Sequence, residues 1–309
     1  MAGPPDSVLT ASRLALALRS ARGSRRLRAF LRNRAMLAGL AIVTAYLLVA
    51  AFAPWLAPAS PLESFPGVRL SPPSAKHLFG TDDFGRDVFS RVIYGSRISV
   101  GVGLSVSLIT TVVGGFLGLL AGYYPAFDRV VMRILDGLMA FPGILLAIAI
   151  SGVLKPSIET VIIALSVVYT PYAVRVLRAP VLANRHAVYV EAARCLGSGD
   201  WRILLYHILP NSVPPLLVQS TFIFSFAILA EATLSFLGLG VPPPTPTWGG
   251  MLNDGKVVMV QAPWLIWGPG IALVLVTLAL NLVGDGLRDL LDPRSFTLQA
   301  QGLPPSGRR

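Results

Sequence analysis

From Ile98 through Phe127 no residue carries a charge. A run of that length exceeds the roughly 20 apolar residues that cross a bilayer as a helix. It is one of several such runs, and the arginines collect in the segments between them. The chain has 309 residues, of which 54% are hydrophobic and 13% charged. Soluble domains carry about 25% charged residues, so the sequence reads as a membrane protein with several spans. The net charge is +11, and Lys76, Lys155 and Lys256 are the only lysines. Because the arginines flank apolar runs, this basicity reads as membrane topology. A nucleic-acid protein would instead set a basic face among aromatics on soluble elements. The single cysteine, Cys195, excludes an intrachain disulfide and a cysteine-based metal site.

The runs divide the chain. Residues 1–34 form a basic arm with no acid after Asp6, which reads as a cytoplasmic anchor rather than a cleaved signal. Residues 35–97 hold a first span, about 35–56, and an external loop whose prolines favour extended chain. In that loop Asp87 and Arg91 stand four apart, which predicts a short amphipathic helix with an internal ion pair. Residues 98–290 form the core. Its first span carries Gly114, Gly118 and Gly122, a stripe that lets another helix approach closely. A span over 134–153 is kinkable at Pro142, and another over 159–176 contains Pro171. Spans over 216–240 and 268–283 follow, and residues 291–309 make a polar tail. Glu231 lies inside the fifth span. An ionisable group at that depth is either a substrate-pathway residue or a structural partner for another helix, and both readings stay open. Trp248, Trp264 and Trp267 suit an interfacial aromatic belt. The arginine-rich segments alternate sides consistently, which predicts six transmembrane helices with both termini cytoplasmic.

One polar stretch stands between spans on the cytoplasmic side, within residues 184–210. Val188, Ala192, Cys195 and Leu196 recur at helical spacing. Gly197-Ser198-Gly199 stops that helix. Asp200 is placed to cap a second helix over 201–209, which Pro210 then limits. A soluble-looking hairpin of this kind must dock on something.

A catalytic constellation is not legible. Gly250 to Lys256 has the glycine and lysine spacing of a phosphate loop, but Val257 stands where a Ser or Thr would hold Mg²⁺. His77, His186 and His207 lack metal-ligand spacing. Cys195 with His207 is formally a nucleophile–base pair, but Cys195 reads as a small apolar residue on a packing face. No cofactor is expected.

The hairpin residues carry a resemblance. Glu191-Ala192-Ala193, then Gly197, then Leu209-Pro210 resemble the EAA motif of the membrane subunits of bacterial ABC importers, with His207 at that motif's Ile position. The stretches FGTDDFGRDVFSRVIYGSR (79–97), MAFP (139–142) and EATLSFLGLG (231–240) resemble the dipeptide/oligopeptide/nickel branch, on the side of its second, C-type permease subunit. The resemblance covers roughly residues 35–294. It implies an all-α membrane protein with six transmembrane helices and a cytoplasmic EAA coupling-helix hairpin, and no catalysis of its own. It implies a second permease subunit, two ABC ATPase subunits, an extracytoplasmic substrate-binding protein and residence in the bacterial or archaeal inner membrane. The expected cargo is a peptide; nickel or an oligosaccharide is the alternative within the branch. An ion-coupled secondary transporter is the rival class. The resemblance assigns Glu191, Ala192, Ala193, Gly197, Trp201, Leu209 and Pro210 to ATPase coupling, with Trp201 and Leu204 as apolar anchors on the partner.

Overall fold

The computed structural model describes residues 30–291. Residues 1–29 of the basic arm and 292–309 of the tail lie outside them. The described residues are helical and carry no strand beyond one isolated bridge, Thr81 to Asp87. Five helices are long and apolar enough to cross a membrane, or six if one bent pair counts as a span.

Helix α1 (Arg34–Ala51) is capped by Asn33, whose side chain accepts from the Met36 amide at 3.0 Å. The short α2 (Ala53–Leu56) follows. Helix α3 (Val88–Tyr123) begins ten residues before the uncharged run and absorbs the expected amphipathic segment. It includes a π segment, Thr110–Gly114. The glycine stripe works as its spacing suggests. A Cβ on Gly114 would fall 2.6 Å from the Ala173 Cβ, and one on Gly118 2.8 Å from the Val174 carbonyl. Only glycine lets α3 lie this close to α6 (Ile158–Asn184).

The third span departs from the single kinked helix expected. Helices α4 (Pro125–Met139) and α5 (Gly143–Val153) meet at 89°. Pro142 has no amide hydrogen and starts α5 from an extended conformation, which ends α4 outright. Amphipathic α4 is tied to α6 by Asp128 with Arg178 and by Asp136 with Arg175.

The second arm of the hairpin also differs. Pro210 does not limit it: α8 runs from Asp200 to Phe236 as one rod. A π segment, Ile203–Ile208, precedes the proline. Its wider i→i+5 bonding redistributes the carbonyls that a proline would leave orphaned. The Asn211 side chain adds a bond to the His207 carbonyl at 2.8 Å.

Two buried clusters hold the bundle. One joins α3, α6 and α8 through Val102, Val106, Leu165, Leu177 and Ile223. The other joins α1, α3, α8 and α10 (Trp264–Leu291) through Val43, Val100, Ile228 and Val276. Trp248, expected in an interfacial belt, is fully buried in the second cluster. It opens helix α9 (Trp248–Val257), and its indole donates to the Val92 carbonyl at 3.0 Å.

At the end of the bundle away from the hairpin, the loop before α3 folds back as a cap. Asp87 does not pair with Arg91. Its carboxylate caps α3 at the Ser90 amide, 2.8 Å, and meets His77 Nδ1 at 2.9 Å. Asp82 takes the cation instead, with Arg86 Nε at 2.6 Å and Arg91 Nε at 3.6 Å. Arg91 also reaches Asp254 of α9 at 3.8 Å. Local spacing alone suggested the i,i+4 pair; Asp82 in the loop is the closer partner and α9 adds a second. Burial pushes the Asp254 carboxyl up from its ordinary range, and the two arginines oppose that shift. Gly85, at φ +76°, permits the return, since a Cβ there would fall 2.1 Å from the Phe65 carbonyl.

Candidate functional site

The hairpin consists of α7 (Val188–Cys195) and the first turns of α8. Gly197 sits at φ +79°, a left-handed conformation that glycine takes without strain, and ends α7. Its amide bonds the Arg194 carbonyl and the Ser198 amide bonds the Ala193 carbonyl, closing the turn.

Helix α7 has two apolar faces. Val190 and Ala193 face inward and pack with Ile203, Leu204 and Ile208 of α8. The periodic set Val188, Ala192, Cys195 and Leu196 faces outward; Val188 is 81% and Leu196 86% exposed. The spacing suggested a packing face for Cys195, and it is a face with nothing of the described residues against it. Trp201 at 55% and Tyr206 at 75% exposure are likewise open on the second arm. Glu191, Gly197 and Pro210 are exposed and Leu209 is half-buried. Leu204 was expected to anchor outside but is fully buried in this chain's own core.

The hairpin is also tied to the bundle through α3. Asp200 does not cap α8: Gly199 stands at that position with no side-chain cap bond, and the Asp200 carboxylate is engaged elsewhere. Tyr123 Oη donates to it at 2.6 Å, and Tyr124 Oη at 3.2 Å. The Arg194 guanidinium donates to Tyr123 Oη at 3.1 Å and lies over its ring. Its contact with Tyr123 raises the Arg194 pKa. One tyrosine at the end of α3 thus touches both arms of the hairpin. Sequence reading missed this joint, although two adjacent tyrosines closing an uncharged run were a visible sign.

Glu231, the tentative pathway residue, is fully buried inside this chain. Ser235 Oγ donates to Oε1 at 2.7 Å, Oε2 is buried with no hydrogen-bond partner among the described residues, and Ser99 and Thr247 lie close by. The residue therefore sits where α3, α8 and the start of α9 meet. The Gly250–Lys256 string lies within α9, where the Gly250 amide is already taken by Thr247 Oγ1 at 3.0 Å. A phosphate loop needs such amides free ahead of a helix. Among the described residues no cluster of His, Cys, Asp or Glu is placed to hold a metal.

This arrangement has known counterparts. Residues 114–297 match the family described as binding-protein-dependent transport system inner membrane component. Residues 23–73 match the N-terminal TM domain of oligopeptide transport permease C. A putative peptide transport system permease protein of Brucella suis biovar 1 is 50% identical over 248 residues, 80% of this chain and 84% of that protein. The dipeptide transport system permease protein DppC of Alkalihalophilus pseudofirmus is 46% identical over 252 residues, 81% of this chain and 83% of that one. Among solved structures, a chain of the MetNI methionine ABC transporter in an inward-facing form aligns with a TM-score of 0.53 at 17% identity. The alignment covers 65% of this chain and 96% of that one, and shows a shared fold. A multi-span helical bundle with an open hairpin at one end, matched over more than half its length, belongs to the family of inner membrane components of binding-protein-dependent transport systems.

Proposed function

We propose that this chain is the permease subunit of a peptide importer driven by ATP hydrolysis on separate subunits. The observation that carries the reading is the outward apolar face of α7. Val188, Ala192, Cys195 and Leu196 form a helical stripe that none of the described residues covers. Exposed apolar faces on a polar, water-facing element mark contact with a partner. An amphipathic helix laid in a groove is a standard mode of that contact. Glu191, Ala192, Ala193, Gly197, Trp201, Leu209 and Pro210 are the coupling residues. Among them Ala193 and Leu209 act from inside, by holding α7 and the π segment in place. The partner is an ABC ATPase pair, and the hairpin and both termini lie on the cytoplasmic side with it. A second permease completes the pathway, and a substrate-binding protein delivers cargo at the opposite end. Residues 35–97 form an accessory first span and cap, and residues 98–290 the translocating core. Glu231 acts as a buried tie between helices. The relatives named for peptide and dipeptide transport support a peptide cargo.

The test is site-specific photo-cross-linking from Leu196 in membranes that hold the whole transporter, alongside uptake of labelled di- and oligopeptides. The reading expects a cross-link to the ATPase subunit and loss of uptake in Leu196→Asp. A cross-link only to a non-ATPase protein, with uptake intact in the mutant, would overturn it.

A further inference from the structure

Helices α1 and α10 touch along one half of their length and part along the other. Towards the hairpin end they are in contact: a Cβ on Gly39 would fall 2.7 Å from the Ala279 carbonyl, and one on Gly286 2.5 Å from Met36. Towards the opposite end they separate around an open cavity of about 740 Å³. Tyr46 and Val49 of α1, Phe89 and Ile93 of α3, and Trp267 and Ile271 of α10 line it.

Three features define what fits there. The first is depth. From Trp264 to Ala272 the groove follows α10 for about 12 Å at 1.5 Å per residue, close to one leaflet of a hydrocarbon core roughly 30 Å thick. It ends where α1 and α10 close, so a docked helix, which needs a seat across the whole bilayer, would be cut off midway. The second is chemistry. Most polar atoms of the walls are already used, the Tyr46 hydroxyl and the Trp267 indole aside: Trp248 Nε1 donates to the Val92 carbonyl, Trp264 Nε1 to the Thr81 carbonyl at 3.5 Å, and Ser96 Oγ to the Ile93 carbonyl at 2.6 Å. Water or a polar ligand would find few partners, whereas an empty apolar void forfeits dispersion contacts. The third is the rim. Trp267 of the lining is 67% exposed, and Trp55, next in the chain to the lining Leu56, is 78% exposed; indoles favour the headgroup region of a bilayer.

We propose that this groove is a binding site for one acyl chain of a phospholipid in the leaflet away from the hairpin. The chain inserts between α1 and α10 and packs on Phe89 and Ile93, wedging the two helices apart at that end.

The test uses the full-length chain in proteoliposomes with a phosphatidylcholine that bears a photoactivatable diazirine in its acyl chain. Adducts are mapped by mass spectrometry. Val274 and Leu278, exposed on α10 outside the groove, report ordinary lipid contact. Adducts are expected at Phe89 and Ile93, which only an inserted chain reaches. Filling the groove with Val49→Trp, or separately with Ile271→Trp, is expected to lower those adducts roughly tenfold and leave Val274 and Leu278 unchanged. Folding of each variant is checked by its melting temperature, and the wild-type adduct map stands as a test if either fails to fold. Labelling of Val274 and Leu278 without labelling of Phe89 and Ile93 would overturn the proposal. So would labelling that well-folded filled variants do not reduce, or that comes only from probe placed in the hairpin-side leaflet.

Discussion

The two ends of this molecule spend their polar residues in opposite ways. At the cap end Asp82, Asp87, Arg86, Arg91 and His77 are all buried and bonded to one another or to backbone. At the hairpin end Glu191, Arg194 and Asp200 remain exposed, and a stripe of apolar side chains stands open beside them. The cap closes on itself. The hairpin leaves its apolar face uncovered by the described residues, the face proposed to meet a partner, and its own core, Val190 with Ile203, Leu204 and Ile208, backs that face. The difference separates residues needed for the chain to fold from residues needed for it to act.

Mutations can break or sharpen that division. The largest effect falls on the cap. Arg91→Leu leaves Asp82 buried with one cation fewer, and removing one partner from a buried pair costs about 3–5 kcal/mol. Loss of the chain from membranes, or a fall of its melting temperature in detergent, is expected before any transport assay is reached. At the hairpin, Leu196→Asp is expected to abolish uptake while the melting temperature stays put, because the exposed side chain contributes nothing to this chain's core. A mutant that melts early would erase the distinction drawn between the ends.

Tyr123→Phe is the intermediate case. It removes one hydroxyl that joins Asp200 to Arg194, worth about 0.5–1.5 kcal/mol, somewhat more where a charged group is involved. The fold is expected to survive and ATPase subunits to assemble, with peptide uptake per ATP hydrolysed falling a few-fold. An unchanged ratio would mean that the joint is structural only. Glu231→Gln is expected to matter least. The amide keeps the size of the buried carboxyl and can still accept from Ser235, so a stability change under about 1 kcal/mol and near-normal uptake are expected. Strong loss of uptake in a well-folded Glu231→Gln chain would restore a role for the carboxyl in the pathway.

What the sequence disclosed follows from the range of the interactions. The uncharged runs, the glycine stripe and the Gly197 turn rest on neighbours a few residues apart, and each stands in the structure as its spacing indicates. The misreadings involve distant partners. Asp87 and Arg91 looked like a pair because the fold of the loop, which brings His77 to Asp87 and Asp82 to Arg91, and the approach of Asp254 were not legible. Trp248 looked interfacial because its burial depends on Tyr46 and Val92 from other helices. Pro210 looked like a stop because a π segment has no local sequence signature that would have announced it. At the hairpin, periodicity correctly found the apolar stripe of α7 but could not tell an inward face from an outward one. Cys195 looked like an inward packing residue for that reason and stands on the outward face, while Leu204, assigned outward from the resemblance, is held by Val190 and the core of the other arm.

Helix α8 gives this geometry a mechanical meaning. Its 37 residues make a rod of about 55 Å, with Trp201 at one tip and Glu231 and Ser235 near the other. A torque applied to the tip that holds Trp201 cannot be absorbed by a hinge at Pro210, because the rod is unbroken there. It must appear as tilt at the far end, against the hydroxyls of Ser99 and Thr247. The π segment and the prolines inside the rod, Pro214 and Pro215, are then the places along the lever with some compliance, and stiffening them would change how much of a stroke arrives.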